Sequence, residues 1–183
     1  MIVFETPRLI LRPRGLEHLE ACVAINSDPE VMRYVGPVWP PAQQREHLTR
    51  QFATDRGEGL GHWAIFRKTA PEEMLGWALL VPLEGTDAVQ IGYRLKRAAW
   101  GDGIATEAGQ RLVAHGLETL RLPSLAAWTH PDNAGSKGVL IKLGFVPDGP
   151  YEENGEVRDL YRLTPAARQP WAKLASMAGG GAS

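Results

Sequence analysis

Between residues 89 and 120 the apolar period switches from two to about 3.6 across one glycine-rich turn, which limits the possible folds more than any other stretch. Val89, Ile91, Tyr93 and Leu95 alternate with Gln90, Gly92 and Arg94, the pattern of a half-buried strand. Trp100-Gly101-Asp102-Gly103-Ile104-Ala105-Thr106-Glu107-Ala108 follows, and Ile104, Ala108, Leu112, Leu117 and Leu120 then recur at near-helical spacing until Pro123. The spacing predicts a helix from about Gly103 to Leu120, roughly 27 Å long at ~1.5 Å per residue. Gly101 and Gly103 carry no Cβ, so the backbone can turn sharply and come close to a ligand. The first N–H groups of the helix lack intrahelical partners, and a phosphate or diphosphate satisfies them. The two glycines alone fit equally well a strand-to-helix turn that binds nothing. A dinucleotide-binding fingerprint is disfavoured, because Thr106 stands where that pattern needs a third glycine or alanine and the motif lies beyond mid-chain.

Further elements can be read on both sides. A strand is expected from Val3 to Arg12 and a helix from Gly15 to Asn26, with Asp28 capping a helix that has Pro29 in its first position. Gly36-Pro37-Val38-Trp39-Pro40-Pro41 breaks the chain before a helix from Ala42 to Asp55. His62 to Phe66 and Met74 to Leu80 read as a hairpin joined through Thr69 to Glu73. A strand from Leu125 to Thr129, a helix from Ser136 to Leu143, and strands from Phe145 to Tyr151 and from Val157 to Leu163 complete the set. Asn154-Gly155 is the turn signal between the last two strands.

At 183 residues and 44% hydrophobic content, the chain suits one domain that buries roughly 70% of its unfolded surface. That domain is expected over residues 1–164, with a tail rich in Ala, Gly, Ser and Pro over 165–183. Twenty basic against 21 acidic residues leave a net charge of −1, which disfavours nucleic-acid binding by charge alone. Cys22 is the single cysteine, so an internal disulfide or a cysteine-based zinc site is not available; a small buried hydrophobe is the expected role. No secretory leader pattern and no apolar run of ~18 residues can be read, so a cytoplasmic protein away from membranes is expected, as monomer or homodimer.

A second block, Asn133-Ala134-Gly135-Ser136-Lys137-Gly138-Val139-Leu140-Ile141-Lys142-Leu143-Gly144-Phe145, lies one short strand beyond the glycine turn. Together the two blocks resemble the acetyl-CoA site of the GNAT superfamily of N-acetyltransferases. The similarity is to the ribosomal-protein N-terminal acetyltransferases of RimJ/RimL type, where W-G-x-G-x-A-T-E-A precedes N-x-x-S and K-L-G-F. Glu5-Thr6-Pro7-Arg8-Leu9-Ile10-Leu11-Arg12-Pro13 and Ile91-Gly92-Tyr93-Arg94-Leu95 are similar to the same branch, so the resemblance covers about residues 3–164.

The resemblance implies an α/β (α+β) fold with a mixed, mostly antiparallel sheet of six to seven strands, helices on both faces, and a splayed central strand pair. It implies acetyl-CoA as co-substrate, without a metal, and an amine acceptor that is a protein N-terminus or a small molecule. The coenzyme diphosphate is then expected on Trp100, Gly101, Asp102, Gly103, Ile104, Ala105 and Thr106, helped by Arg97 or Lys96. The pantetheine amides are expected along Tyr93, Arg94 and Leu95 as an added strand. Asn133 and Ser136 fall where the branch places a pantetheine contact and a proton donor to the leaving thiolate; both also suit a helix cap. The implied reaction is direct attack of a neutral amine on the acetyl carbonyl, polarised by an N–H near Leu95.

One position departs from the pattern. Gln90 stands where many relatives carry a glutamate base, which leaves Glu84, Asp87, Glu152, His62 and His130 as candidates and admits a non-catalytic acyl-CoA-binding module. Tyr34, Trp39 and Trp63 are the candidate acceptor contacts, although core packing is the safer reading for Trp63.

Overall fold

The computed structural model describes residues 2–153 and 155–166. The expected first strand is two strands, β1 (Phe4–Glu5) and β2 (Leu9–Pro13), paired antiparallel with Phe4 opposite Leu11. Thr6 causes the break: its N–H donates to the Leu9 carbonyl at 3.0 Å and its hydroxyl accepts from the Leu9 N–H at 2.9 Å, closing a turn around Pro7. After a 3-10 turn at Leu16–His18 come α1 (Leu19–Asn26), α2 (Pro29–Met32) and α3 (Pro41–Ala53). Asp28 caps α2 by accepting from the Glu30 N–H, as its sequence position predicts.

β3 (Gly61–Arg67) and β4 (Ala70–Pro82) form the expected hairpin, but its connection shrinks to Lys68-Thr69 because residues 70–73 extend β4. A register irregularity between Ile65 and Arg67 absorbs the mismatch. β5 (Val89–Leu95) leads through a 3-10 turn at Arg97–Ala99 into α4 (Ile104–Ala114). The expected long helix is α-helical only to Ala114. His115–Thr119 then widens into a π-turn, in which the buried His115 bonds the Gly59 carbonyl at 2.9 Å and packs on Phe4 at 4.8 Å between ring centroids. β6 (Leu125–Thr129), α5 (Ala134–Lys142), β7 (Val146–Glu153) and β8 (Glu156–Leu163) follow. Asn154 lies outside the described residues, as does the tail from residue 167; Gly155 takes a positive φ of 78° beside the Glu153 to Glu156 pairing.

The eight strands make one sheet in the order β1-β2-β3-β4-β5-β6-β8-β7, one strand more than the upper end of the expected range because of the break at Thr6. Every neighbouring pair is antiparallel except β5 and β6. Those two pair only through Val89 with Leu125 and Gln90 with Ala126, and then part. This is the expected splayed pair, and it opens the sheet at its centre.

Strand alternation sorts the core onto two faces. Trp63, Leu80, Ile91, Leu112 and Leu143 pack with α4 and α5 on one side, while Cys22, Leu48, Ala64, Phe66 and Trp77 pack with α1 and α3 on the other. Each such leucine contributes roughly 1.5–3 kcal/mol on burial. Among the described residues no helix is long and apolar enough to cross a membrane.

Candidate active site

Gly103 is the N-cap of α4, with φ 74°, and Gly101 has φ 79°. These left-handed positions carry the chain from the end of β5 into α4 so that Gly101, Gly103, Ile104, Ala105 and Thr106 line one wall of a cleft of about 500 Å³. The helix begins with the Glu107 N–H bonding the Gly103 carbonyl at 2.9 Å, so the N–H groups of residues 104–106 precede the ladder and remain available to an anion.

The turn is held from outside by the chain's N-terminal segment. Glu107 accepts from the Thr6 hydroxyl at 2.6 Å, the Arg8 N–H at 2.9 Å and the Arg8 Nε at 2.6 Å. Burial pushes the Glu107 carboxyl up, but those hydrogen bonds from Thr6 and Arg8 outweigh it and hold the group below the usual carboxylate range. Asp102 points to the same outer side, where it bonds Arg67 and Arg8, and its carboxylate lies outside the cleft. Thus the Thr-Pro-Arg and Thr-Glu-Ala pieces of sequence are two halves of one clamp.

The cleft continues along Tyr93, Arg94 and Leu95 to Asn133 and Ser136. Asn133 caps α5, its Oδ1 accepting from the Ser136 N–H at 3.0 Å. Ser136 lies beside Tyr93 in the wall of the cleft, and the Tyr93 phenol is pushed up by burial, with the nearby Ser136 hydroxyl lowering it in part. Trp100 lies half exposed with its indole N–H on the Leu95 carbonyl at 3.0 Å. Arg97 is exposed and outside the cleft, and Lys96 bonds Glu73; besides Arg94, the cations that line the cleft are Arg33 and Lys142.

Where β5 and β6 part, the cleft opens into a gap of about 200 Å³ reached by Tyr34, Gln90, Tyr93, His130, Asn133 and Ser136. Tyr34 and His130 face each other at 5.2 Å between ring centroids. Through the gap lies a third space of about 370 Å³ on the α1 and α3 face, with Trp39, Trp77, Trp128, His47, His62 and Arg94 in its walls. Val35 and Arg94 border all three cavities.

Trp39 borders this chamber, edge-on to His47 at 5.3 Å. Trp63 does not: it is 1% exposed, on the α4 face, with its indole N–H on the Ile2 carbonyl at 2.8 Å. Strand alternation sends its neighbour His62 to the chamber instead. Burial drives the His62 imidazole down to about 3, with Arg14 and Arg56 adding to the shift, so the ring is neutral and weakly basic. Glu84, Asp87 and Glu152 are exposed and border neither the cleft nor the gap nor the chamber. Among the described residues no group of three or more His, Cys, Asp or Glu is placed to hold a metal ion.

Residues 8–146 match the acetyltransferase (GNAT) domain family. The chain belongs to the GNAT acetyltransferases. It is 29% identical to the FsC-acetyl coenzyme A-N(2)-transacetylase of Aspergillus fumigatus, over 92% of this chain and 77% of that one. It is 27% identical to the ribosomal-protein-serine acetyltransferase of Escherichia coli K12, over 67% and 70% of the two chains. The RimL ribosomal L7/L12 alpha-N-protein acetyltransferase, solved in complex with coenzyme A, superposes with a TM-score of 0.74 at 20% identity, covering 91% and 99%. GNAT enzymes use acetyl-CoA as acetyl donor, and this chain presents the two elements such a donor needs. One is an uncapped helix start for phosphates; the other is a strand edge, freed by the splay, for amides. The closeness of Tyr93 to Ser136 depends on a contact across 43 positions, and Arg33 sits at the end of a short helix with no motif of its own. Lys142 belongs to the K-L-G-F motif, but the motif does not say that its side chain lines the cleft.

Proposed function

We propose that this GNAT acetyltransferase passes the acetyl group directly to a primary amine, with donor and acceptor meeting in the gap from opposite faces of the sheet. The observation that supports this most is the continuity of the three cavities through the split between β5 and β6, with Ser136 and Tyr93 at the junction. Bound acetyl-CoA supplies an activated acyl group. The N–H groups of residues 104–106 hold its diphosphate, the free edge of β5 aligns its amides, and an N–H near Leu95 polarises the carbonyl. The Ser136 hydroxyl gives the departing sulfur its proton and regains one from the neighbouring Tyr93, while the proton lost by the attacking amine passes to solvent water, which returns one to Tyr93. An amine acceptor agrees with the names of the similar transacetylase and ribosomal-protein-serine acetyltransferase.

The missing base has a physical substitute. Among the described residues no carboxylate borders the gap or the chamber, and Arg94 and Arg14 create a positive local field. Such a field disfavours the ammonium form, so the amine reaches the gap as the free base without a dedicated carboxylate. The same absence favours the second reading, a coenzyme-binding module without turnover. Two measurements separate them. Acetyl-CoA at 100 times its Kd should stabilise the fold by about 2.7 kcal/mol under either reading. Thiol release from acetyl-CoA on addition of an amine panel occurs only if transfer is real; a thermal shift without thiol release favours the module, and no shift at millimolar ligand overturns both.

A further inference from the structure

We propose that the amine acceptor carries a carboxylate and that Arg94 seats it. This rests on the reading of the α1 and α3 chamber as the acceptor side. Among the described residues the chamber wall contains no Asp or Glu. Its polar groups are the amides of Asn26, Gln44 and Gln51, two histidines and Arg94.

Arg94 lies flat over Trp77, 5.2 Å from the ring centroid, and donates through Nη1 to Asn26 Oδ1. Among the described residues Arg94 has no salt bridge, and Arg14, itself 4% exposed and set over the same indole at 4.7 Å, acts on it as a second cation. Burial lowers Arg94 to about 10, with Arg14 adding to the shift, so the guanidinium stays charged at neutral pH. A half-buried cation with only an amide partner, next to a second cation, is costly until an anion arrives. A carboxylate can take the planar fork of the guanidinium with two parallel hydrogen bonds.

Two more groups await a partner. The Trp128 Nε1 donor and the Gln44 Oε1 acceptor are both buried without one, and both residues line the chamber. Gln44 is fixed in place because its amide nitrogen donates to the Trp39 carbonyl at 2.7 Å. Trp39, Trp77 and Trp128 supply apolar surface for the rest of the molecule. At about 370 Å³ the space has the size of an amino acid or the first residues of a peptide. Arg94 also borders the gap, so a carboxylate bound there stays close to the amine. Polyamines and aminoglycosides are mismatched in charge to this wall.

The test is steady-state thiol release with matched acceptors: L-phenylalanine against L-phenylalaninamide, a pentapeptide amide with Asp in second place against the same peptide with Asn, and spermidine. Amidation makes the amine less basic, so reactivity alone favours the amide. The expected result is a kcat/KM at least tenfold higher for a carboxylate-bearing member than for its neutral partner, with the difference carried by KM. The phenylalanine pair reports a free amino acid and the peptide pair an acidic N-terminus. Arg94→Gln should bring the ratio to within about twofold of one, and Arg94→Lys should keep part of it, with circular dichroism confirming that each variant is folded. Equal or better turnover of the neutral amines or of spermidine overturns the carboxylate seat and leaves acetyl transfer standing, as does a ratio unchanged in Arg94→Gln. Absence of thiol release with every acceptor overturns both.

Discussion

Ser136 serves the site through two different atoms. Its backbone N–H completes the Asn133 cap of α5, while its hydroxyl lies near Tyr93 at the edge of the gap. Ser136→Ala keeps the cap and removes only the hydroxyl. It should lower kcat about 100-fold, the lower end for a lost general acid, with KM for acetyl-CoA changed less than threefold; an unaltered kcat removes Ser136 as the proton donor. His62 makes a prediction of a different kind. Its folded value of about 3 lies below the ~6.5 of an unfolded histidine, so its contribution is fully present above pH 6.5 and is lost as the pH falls toward 3. Between pH 7 and 5 that loss is about 2 kcal/mol. Urea unfolding should show His62→Asn losing about 2 kcal/mol less than the parent over that interval, whereas equal acid sensitivity contradicts a buried neutral ring. At this scale the sequence was an uneven guide. Asn133, Ser136, Gly101 and Gly103 were legible because each belongs to a local motif. Trp63 takes the core place that its packing suggested rather than an acceptor contact, because strand alternation turns it away from the chamber. Arg97 points to solvent from a 3-10 turn whose facing no local pattern encodes, and Glu84, Asp87 and Glu152 lie away from the cavities because separation along the chain says little about distance.

Gly76 shows how an element can depend on a missing atom. It sits in β4 opposite Leu95 with φ 151°, and a Cβ there would lie 2.1 Å from the Arg94 carbonyl oxygen. β4 can therefore press against β5 at the point where β5 turns toward the glycine-rich loop. Gly76→Ala should cost about 3 kcal/mol or more in denaturant unfolding, since backbone rather than a flexible side chain must move; a stability within 1 kcal/mol of the parent contradicts the contact. Most elements were readable from period and punctuation: the bounds of β5 and β6 agree with the alternation of Val89 to Leu95 and the apolar run Leu125 to Thr129. The departures had one local and one long-range origin. Thr6 folds back on Leu9, three residues on, in a turn that the apolar alternation does not show, within a clamp that also involves the distant Glu107. The widening of α4 at His115 accompanies a bond from that ring to the Gly59 carbonyl, 56 positions away.

The molecule is a sheet with two cores and one opening. α4 and α5 cover one face, α1 and α3 the other, and β5 and β6, the only parallel pair of strands among the described residues, share two residue pairs before parting. The opening makes chemistry on one face accessible from the other, so donor and acceptor need not compete for one entrance. The glycine turn announced an anion cradle from the sequence alone; the chamber behind the gap, built from Trp39, His47, Trp77 and Trp128 on four different segments, had no such signature. The proposed direct transfer requires both substrates to be present together, with no acetyl group parked on the protein. Cys22, the one thiol, is fully buried and its thiol is pushed up by burial, which is consistent with that requirement. Initial-rate kinetics with both acetyl-CoA and an accepted amine varied test this most directly. Direct transfer through the gap predicts intersecting double-reciprocal lines and no acetylated protein by mass spectrometry; parallel lines, with a mass increase of one acetyl group on incubation with acetyl-CoA alone, would contradict it.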